Sequence, residues 1–381
     1  MSNFPRIKNT ILGLITILMS GLAAFGVVEM AVRAFTPQMS GEVVYGYDES
    51  LGAIPMPYQR GVKTPPEGPS YNFSHNSMGF RGTKEYRTKQ ASFRVLFLGD
   101  SFTYGVGVND DQAFPYLVEK ILQDRNYSVE TINAGNPGVG TDYELKFIQT
   151  LGEKLKADLV VLCFFWNDFY DNALGGHFRL GENGELIPKT PHSLTAKKVK
   201  IENLPGIYWL LSRSQAANLV KVSIVDFLRW LPKTVAKFKN KPETPPADAK
   251  LYPGALPGSK YKAENPSGLK QLTQIYIIQL IKAVKAQGSD ILFLYLPDAS
   301  QVDQYRKTGQ ISSYEKDFFE IVESQGHKPY SLTSCLTGVK ERMDLPYWGH
   351  WSPATNREAA KYISVRLEEW LQTRSLWIEG S

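Results

Sequence analysis

A three-layer α/β/α domain on a parallel sheet, preceded by one membrane-spanning helix, is the architecture this 381-residue sequence predicts. Three observations carry the prediction. Apolar runs at residues 95–98, Leu159–Phe165 and 291–296 have the length and continuity of strands covered on both faces, and residues 129–132 make a further short strand. Stripes at helical spacing lie between them, and such alternation builds parallel sheets through right-handed crossovers. A single uncharged stretch, residues 9–28, stands apart at the amino end.

Taken in order, residues 1–8 form a short tail that holds Arg6 and Lys8. Residues 9–35 read as a transmembrane helix, whose uncharged part alone would span about 30 Å, the thickness of bilayer hydrocarbon. The basic pair ahead of it keeps the tail in the cytoplasm and exports the rest of the chain. A cleaved signal peptide is the competing reading. The apolar stretch is long for a signal core, however, and Ala23-Ala24 is a poor cleavage site, so a retained signal anchor is expected. Residues 36–90 read as an extended lead-in, because Pro, Gly, Tyr and Ser dominate through residue 73 without helical or strand period. Asn76-Ser-Met-Gly-Phe-Arg-Gly82, near its end, reads as a turn that packs Phe80 on the domain.

The α/β domain is expected over residues 91–375. Its first strand runs into Gly99-Asp100-Ser101-Phe102. A helix follows with Phe114, Leu117 and Ile121 on one face and Pro115 in its first turn. The second strand ends in the Gly-rich loop Asn133-Ala-Gly-Asn-Pro-Gly-Val-Gly140, and Leu145, Ile148, Leu151 and Leu155 stripe the next helix. The third strand ends in Trp166-Asn167-Asp168. At about 173–266 the alternation lapses into an insertion rich in Gly, Pro and Lys. One stretch there puts Val220, Ile224, Phe227, Leu228 and Leu231 on a shared face, with a basic outer side read as solvated cover rather than a lipid contact. Alternation resumes with a helix near 267–286, the fourth strand and a helix over 313–325. Tyr347-Trp-Gly-His-Trp-Ser-Pro353 then leads to a last helix striped by Ala359, Ile363 and Leu367.

Composition excludes several classes. A net charge of +5, from 43 basic and 38 acidic residues, is too mild for a nucleic-acid binder. The two cysteines, Cys163 and Cys335, make neither a disulfide framework nor a metal spacing, and Cys163 sits inside an apolar run as a buried thiol would. His75, His177, His192 and His327 show no metal spacing either and read as surface residues. No metal and no cofactor are expected, and the sequence names no protein partner.

Four blocks remain that carry chemistry, in one order along the chain: Gly99-Asp100-Ser101-Phe102, the loop with Gly138, Asn167-Asp168, and His350-Trp351-Ser352-Pro353. The first is not the G-x-S-x-G elbow of α/β-hydrolases, since Thr103 replaces the second glycine. Together the blocks resemble those of the SGNH, or GDSL, hydrolases, over roughly residues 74–372 apart from the insertion. The resemblance implies a flavodoxin-like parallel sheet. It implies Ser101 as nucleophile and His350 as general base, with Ser101, Gly138 and Asn167 forming the oxyanion hole. Each type suits its task. A serine hydroxyl needs an imidazole to take its proton, and growing charge on a tetrahedral oxygen needs fixed donors.

One departure from the family stands out. Its orienting aspartate lies two or three residues before the histidine, where this chain has Trp348 and Tyr347. Asp344, six residues ahead, is the nearest carboxylate and the candidate third triad member; a Ser–His dyad is the expectation. The resemblance implies a serine esterase or O-acyltransferase. Its exported, anchored members often act on glycans, so an O-acetyl ester of a cell-envelope polysaccharide is the expected substrate. The alternative is a weak or inactive glycan-binding or assembly component. Hydrolysis and transfer use the same residues.

Overall fold

The computed structural model describes residues 4–36, 45–86, 88–174, 176–181, 184–189, 193–221, 223, 251–252, 263–264, 266–346 and 349–373. The chain gathers into two units. The smaller comprises residues 1–42, 64–66 and 202–243. It contains α1 (Phe4–Phe35), in which residues 11–35 are long and apolar enough to cross a membrane. Helix Pro205–Arg213 and helical residues 215–221 belong to the same unit.

The larger unit is the α/β domain. Its sheet comprises β5 (Phe93–Gly99), β6 (Val129–Asn133), β7 (Leu159–Phe165), β8 (Asp290–Leu296) and β9 (Pro329–Ser331), in spatial order β9-β8-β7-β5-β6. All four pairings are parallel. Read from the β6 edge this is the flavodoxin order, so the first three strands meet at the switch point where such sheets open a crevice. Period-two alternation sorts the strands' side chains to two cores. Leu96, Leu98, Leu162, Phe164 and Tyr295 join a core with α4 (Thr141–Phe147), α6 (Pro266–Ala286) and α8 (Ser313–Ser324). Val95, Phe97, Val161, Cys163 and Leu294 join another with α3 (Phe114–Asp124) and α9 (Pro353–Thr373). Helices thus cover both faces, which explains the apolar runs within β5, β7 and β8, whereas β6 carries Glu130 and Thr131. The fifth strand is absent from the sequence reading because Pro329-Tyr-Ser331 is three residues long and pairs only with β8.

Several expectations are corrected. Residues 45–74 are folded as two antiparallel hairpins, β1 (Tyr45–Asp48) with β2 (Gly52–Pro55) and β3 (Arg60–Lys63) with β4 (Tyr71–Ser74), not an extended lead-in. All four strands belong to the α/β unit, which therefore begins well before residue 91. The buried face of α3 is Phe114, Val118 and Leu122, with Leu117 and Ile121 at its margin. His75 is buried rather than exposed, and His177 is held between Asp142 and the Leu51 carbonyl. His327 is half-buried against Phe293, and His192 lies outside the described residues. The insertion at 173–266 divides between the two units: residues up to 201 go with the α/β domain and 202–243 with the smaller unit. Its striped helix lies outside the described residues except for Val220, Lys221 and residue 223.

Candidate active site

β5 delivers Ser101 to the carboxyl edge of the sheet. Asp100 ends the strand and caps α2 (Ser101–Tyr104) by accepting the Phe102 N–H at 2.9 Å. The serine therefore opens a helix and faces the crevice. The loop after β6 is pinned beside it: Ala134 N–H donates to Phe97 O and Asn136 N–H to Gly99 O, both at 3.0 Å. Gly135 makes that closeness possible, since a Cβ there would stand 2.2 Å from Tyr104 N. Gly138 is a glycine for another reason. Its φ of +81° is left-handed, while the space around it is open.

His350 arrives from the far end of the chain, and its Nε2 lies 2.8 Å from Ser101 Oγ. A narrow ladder presents it: Ser352 N–H donates to Met343 O at 2.6 Å, Leu345 N–H to His350 O at 2.7 Å, and Asp344 bridges to Trp351. Aromatic rings flank the imidazole. Phe102 lies 5.0 Å from it and packs edge-on against buried Trp351, whose Nε1 donates to Pro297 O. Burial, helped by the Lys63 ammonium on β3, lowers the imidazole's pKa to about 4. It is neutral at pH 7, as a base must be.

Asp344 looks elsewhere. Its carboxyl takes a hydrogen bond from the backbone of Ala299, at the start of α7 (Ala299–Thr308), and burial with the nearby Asp298 charge pushes its pKa up to about 7. Tyr347 and Trp348 lie outside the described residues.

Asn167 stands between β7 and α5 (Asp168–Leu174) and donates through Nδ2 to Asp171 Oδ2 at 2.9 Å, with Asp100 also within hydrogen-bonding reach. Beneath Ser101 is a nest of buried acids that the sequence reading left without a role. Asp100, Glu144 and Asp168 are all essentially inaccessible. Burial, with repulsion among the acids, raises Asp100 to about 7 and holds Glu144 and Asp168 well above the usual carboxylate range. Burial and mutual repulsion thus both oppose negative charge on the floor of the site.

A second feature missed in the sequence is the fastening of α2. Arg81 is buried and spreads its guanidinium over Asp110, Asn72 O, Gly105 O and Val108 O, 4.5 Å from the Tyr104 ring. His75 Nε2 meets Tyr104 OH at 2.9 Å, and His75 Nδ1 meets Met56 O at 3.0 Å. The hairpins thus grip the turn that follows the serine. The Asn76–Gly82 motif was the available signal, and the partners of Arg81, mostly backbone carbonyls, left no trace in sequence.

No family model and no curated protein matches the chain. Solved structures similar to it include a lipase/acylhydrolase from Enterococcus faecalis, 14% identical, covering 73% of this chain and 96% of that one at a TM-score of 0.39. A family 3 carbohydrate esterase from Clostridium thermocellum is 12% identical over 74% of this chain and 98% of its own, at 0.37. A psychrotrophic esterase from Pseudoalteromonas is 12% identical over 73% and 98%, at 0.35. Likenesses this distant do not by themselves establish an activity, which rests on the site.

Proposed function

We propose that this chain is an SGNH-type serine ester hydrolase, with Ser101 as nucleophile and His350 as general base. The observation that carries the reading is the 2.8 Å contact between Ser101 Oγ and a neutral, half-buried imidazole at the sheet's switch point. With the ring proton on Nδ1, Nε2 takes the hydroxyl proton as Oγ attacks the acyl carbon. The carbonyl electron pair moves to its oxygen, met by the N–H groups of Ser101 and Gly138 and the Asn167 amide. Collapse expels the alcohol, which leaves with the proton from Nε2. Water then repeats the cycle to release the acid, whereas a sugar hydroxyl in its place makes the reaction a transfer.

The substrate we propose is an O-acetyl ester of a cell-envelope carbohydrate, reached from a retained α1 anchor with the domain on the extracytoplasmic side. The long apolar helix and the resemblance of the four blocks support this. A second reading, a weakly active or inactive glycan-binding component, is favoured by one observation: the sequence has no aspartate two or three residues before His350, where Trp348 and Tyr347 stand. Purified protein should hydrolyse p-nitrophenyl acetate and be labelled at Ser101 by an organophosphonate. Ser101→Ala should remove at least ~10³-fold of the turnover with unchanged circular dichroism. Turnover that survives the substitution would end the serine mechanism, and failure of the phosphonate to label would favour the binding component.

A further inference from the structure

Within the smaller unit, α1 is bare along most of its length. From residue 11 to residue 25 every side chain is exposed, and Val28 still is, at 52%. Cover begins only with Gly26, Glu29 and Val32, one stripe at i, i+3 and i+6 on the last two turns. Glu29 is the fastening point. Its Oε2 accepts from Ser214 Oγ at 2.7 Å and from Ala216 N–H at 2.9 Å, and its Oε1 from Gln215 N–H at 3.0 Å and Arg33 Nε at 2.8 Å. Arg33 Nη2 reaches Arg213 O at 2.9 Å. Four donors satisfy a carboxylate that would otherwise be costly on an apolar helix, and they lock the junction between Pro205–Arg213 and residues 215–221 to the end of α1.

The helix held there exposes the wrong residues for water. Leu204 is 53% exposed, Tyr208 39% and Trp209 57%, while the Arg213 guanidinium sits 5.5 Å from the Trp209 ring. Trp and Tyr next to arginine, at the end of a membrane-length helix, is the composition of a bilayer's interfacial belt. There a ring can bury its apolar body while cations meet phosphate. We propose that Pro205–Arg213 lies in the headgroup layer of the bilayer that α1 crosses. Leu204, Tyr208 and Trp209 then face the acyl boundary, and Arg33 and Arg213 face anionic phosphates. Continuity with α1 and charge complementarity argue for lipid over a protein occupant.

The inference rests on the anchor reading, so its test reports on both. Full-length protein in a Cys335→Ser background is reconstituted in mixed zwitterionic and anionic phospholipid. An environment-sensitive fluorophore is attached at Trp209→Cys or Leu18→Cys, with Tyr116→Cys as an aqueous control. At position 209, nitroxide high on the acyl chain should quench at least ~3-fold more than nitroxide near its terminus, and at position 18 the order should reverse. Glu29→Ala should abolish the shallow quenching at 209 and leave position 18 unchanged. Position 209 resembling the aqueous control, or blue-shifted yet unquenched as under a protein partner, overturns the inference while position 18 stays in lipid. Both positions in water would overturn the anchor reading and this inference with it.

Discussion

Ser101 and His350, the pair proposed as catalytic, are held by different means. Ser101 stands at the end of a fully buried strand, on a helix capped by Asp100 and gripped through Arg81 and His75. His350 rides a short ladder, positioned by two backbone hydrogen bonds and by the Phe102 ring, which packs in turn against Trp351. Ser101 is thus set by buried polar bonds and His350 by its ladder and ring packing.

Substitutions on the two sides should separate these means. Arg81→Met leaves several buried carbonyls and Asp110 without their donor, so urea unfolding should show a loss of about 3 kcal/mol or more. Unaltered stability would mean that the hairpins do not grip the nucleophile turn. Phe102→Ala should lower kcat about 10-fold while stability falls by the few kcal/mol usual for a buried Phe. Phe102→Leu should restore most of the kcat if ring cover is what matters.

Asp344→Asn should change kcat by less than about 3-fold, because its hydrogen bond goes to Ala299; a fall near 10⁴-fold would reveal a working triad. The smallest effect is on pH. With the pKa of His350 lowered to about 4, kcat/KM should hold on acidification and fall as the imidazole protonates below that value. Lys63→Gln removes a lowering charge and should raise the inflection by less than about one unit. An inflection that stays put would leave burial alone responsible.

How much of this was legible follows from what each part depends on. Strands buried on both faces announce themselves as apolar runs, so residues 95–98 and Leu159–Phe165 were plain. The four chemical blocks were plain because they sit at successive strand ends. The hairpins were not, since Tyr71, Phe73 and His75 are ordered by Tyr104 and Arg81 rather than by any period of their own. Glu144 gave only a faint signal, a carboxyl beside Leu145 on an otherwise apolar stripe. Phe102 was quoted as part of a motif, but only the fold shows it lying on the imidazole.

Ser101 and His350 are 249 positions apart, and the ladder bearing the histidine runs directly into α9. That helix completes a core through Ala359, Ile363 and Leu367 and accepts the Phe114 N–H through Asn356. A growing chain therefore presents Ser101 long before His350 is made, and the proposed pair can meet only once the last helix docks. On that proposal, the onset of reactivity would report the completion of folding.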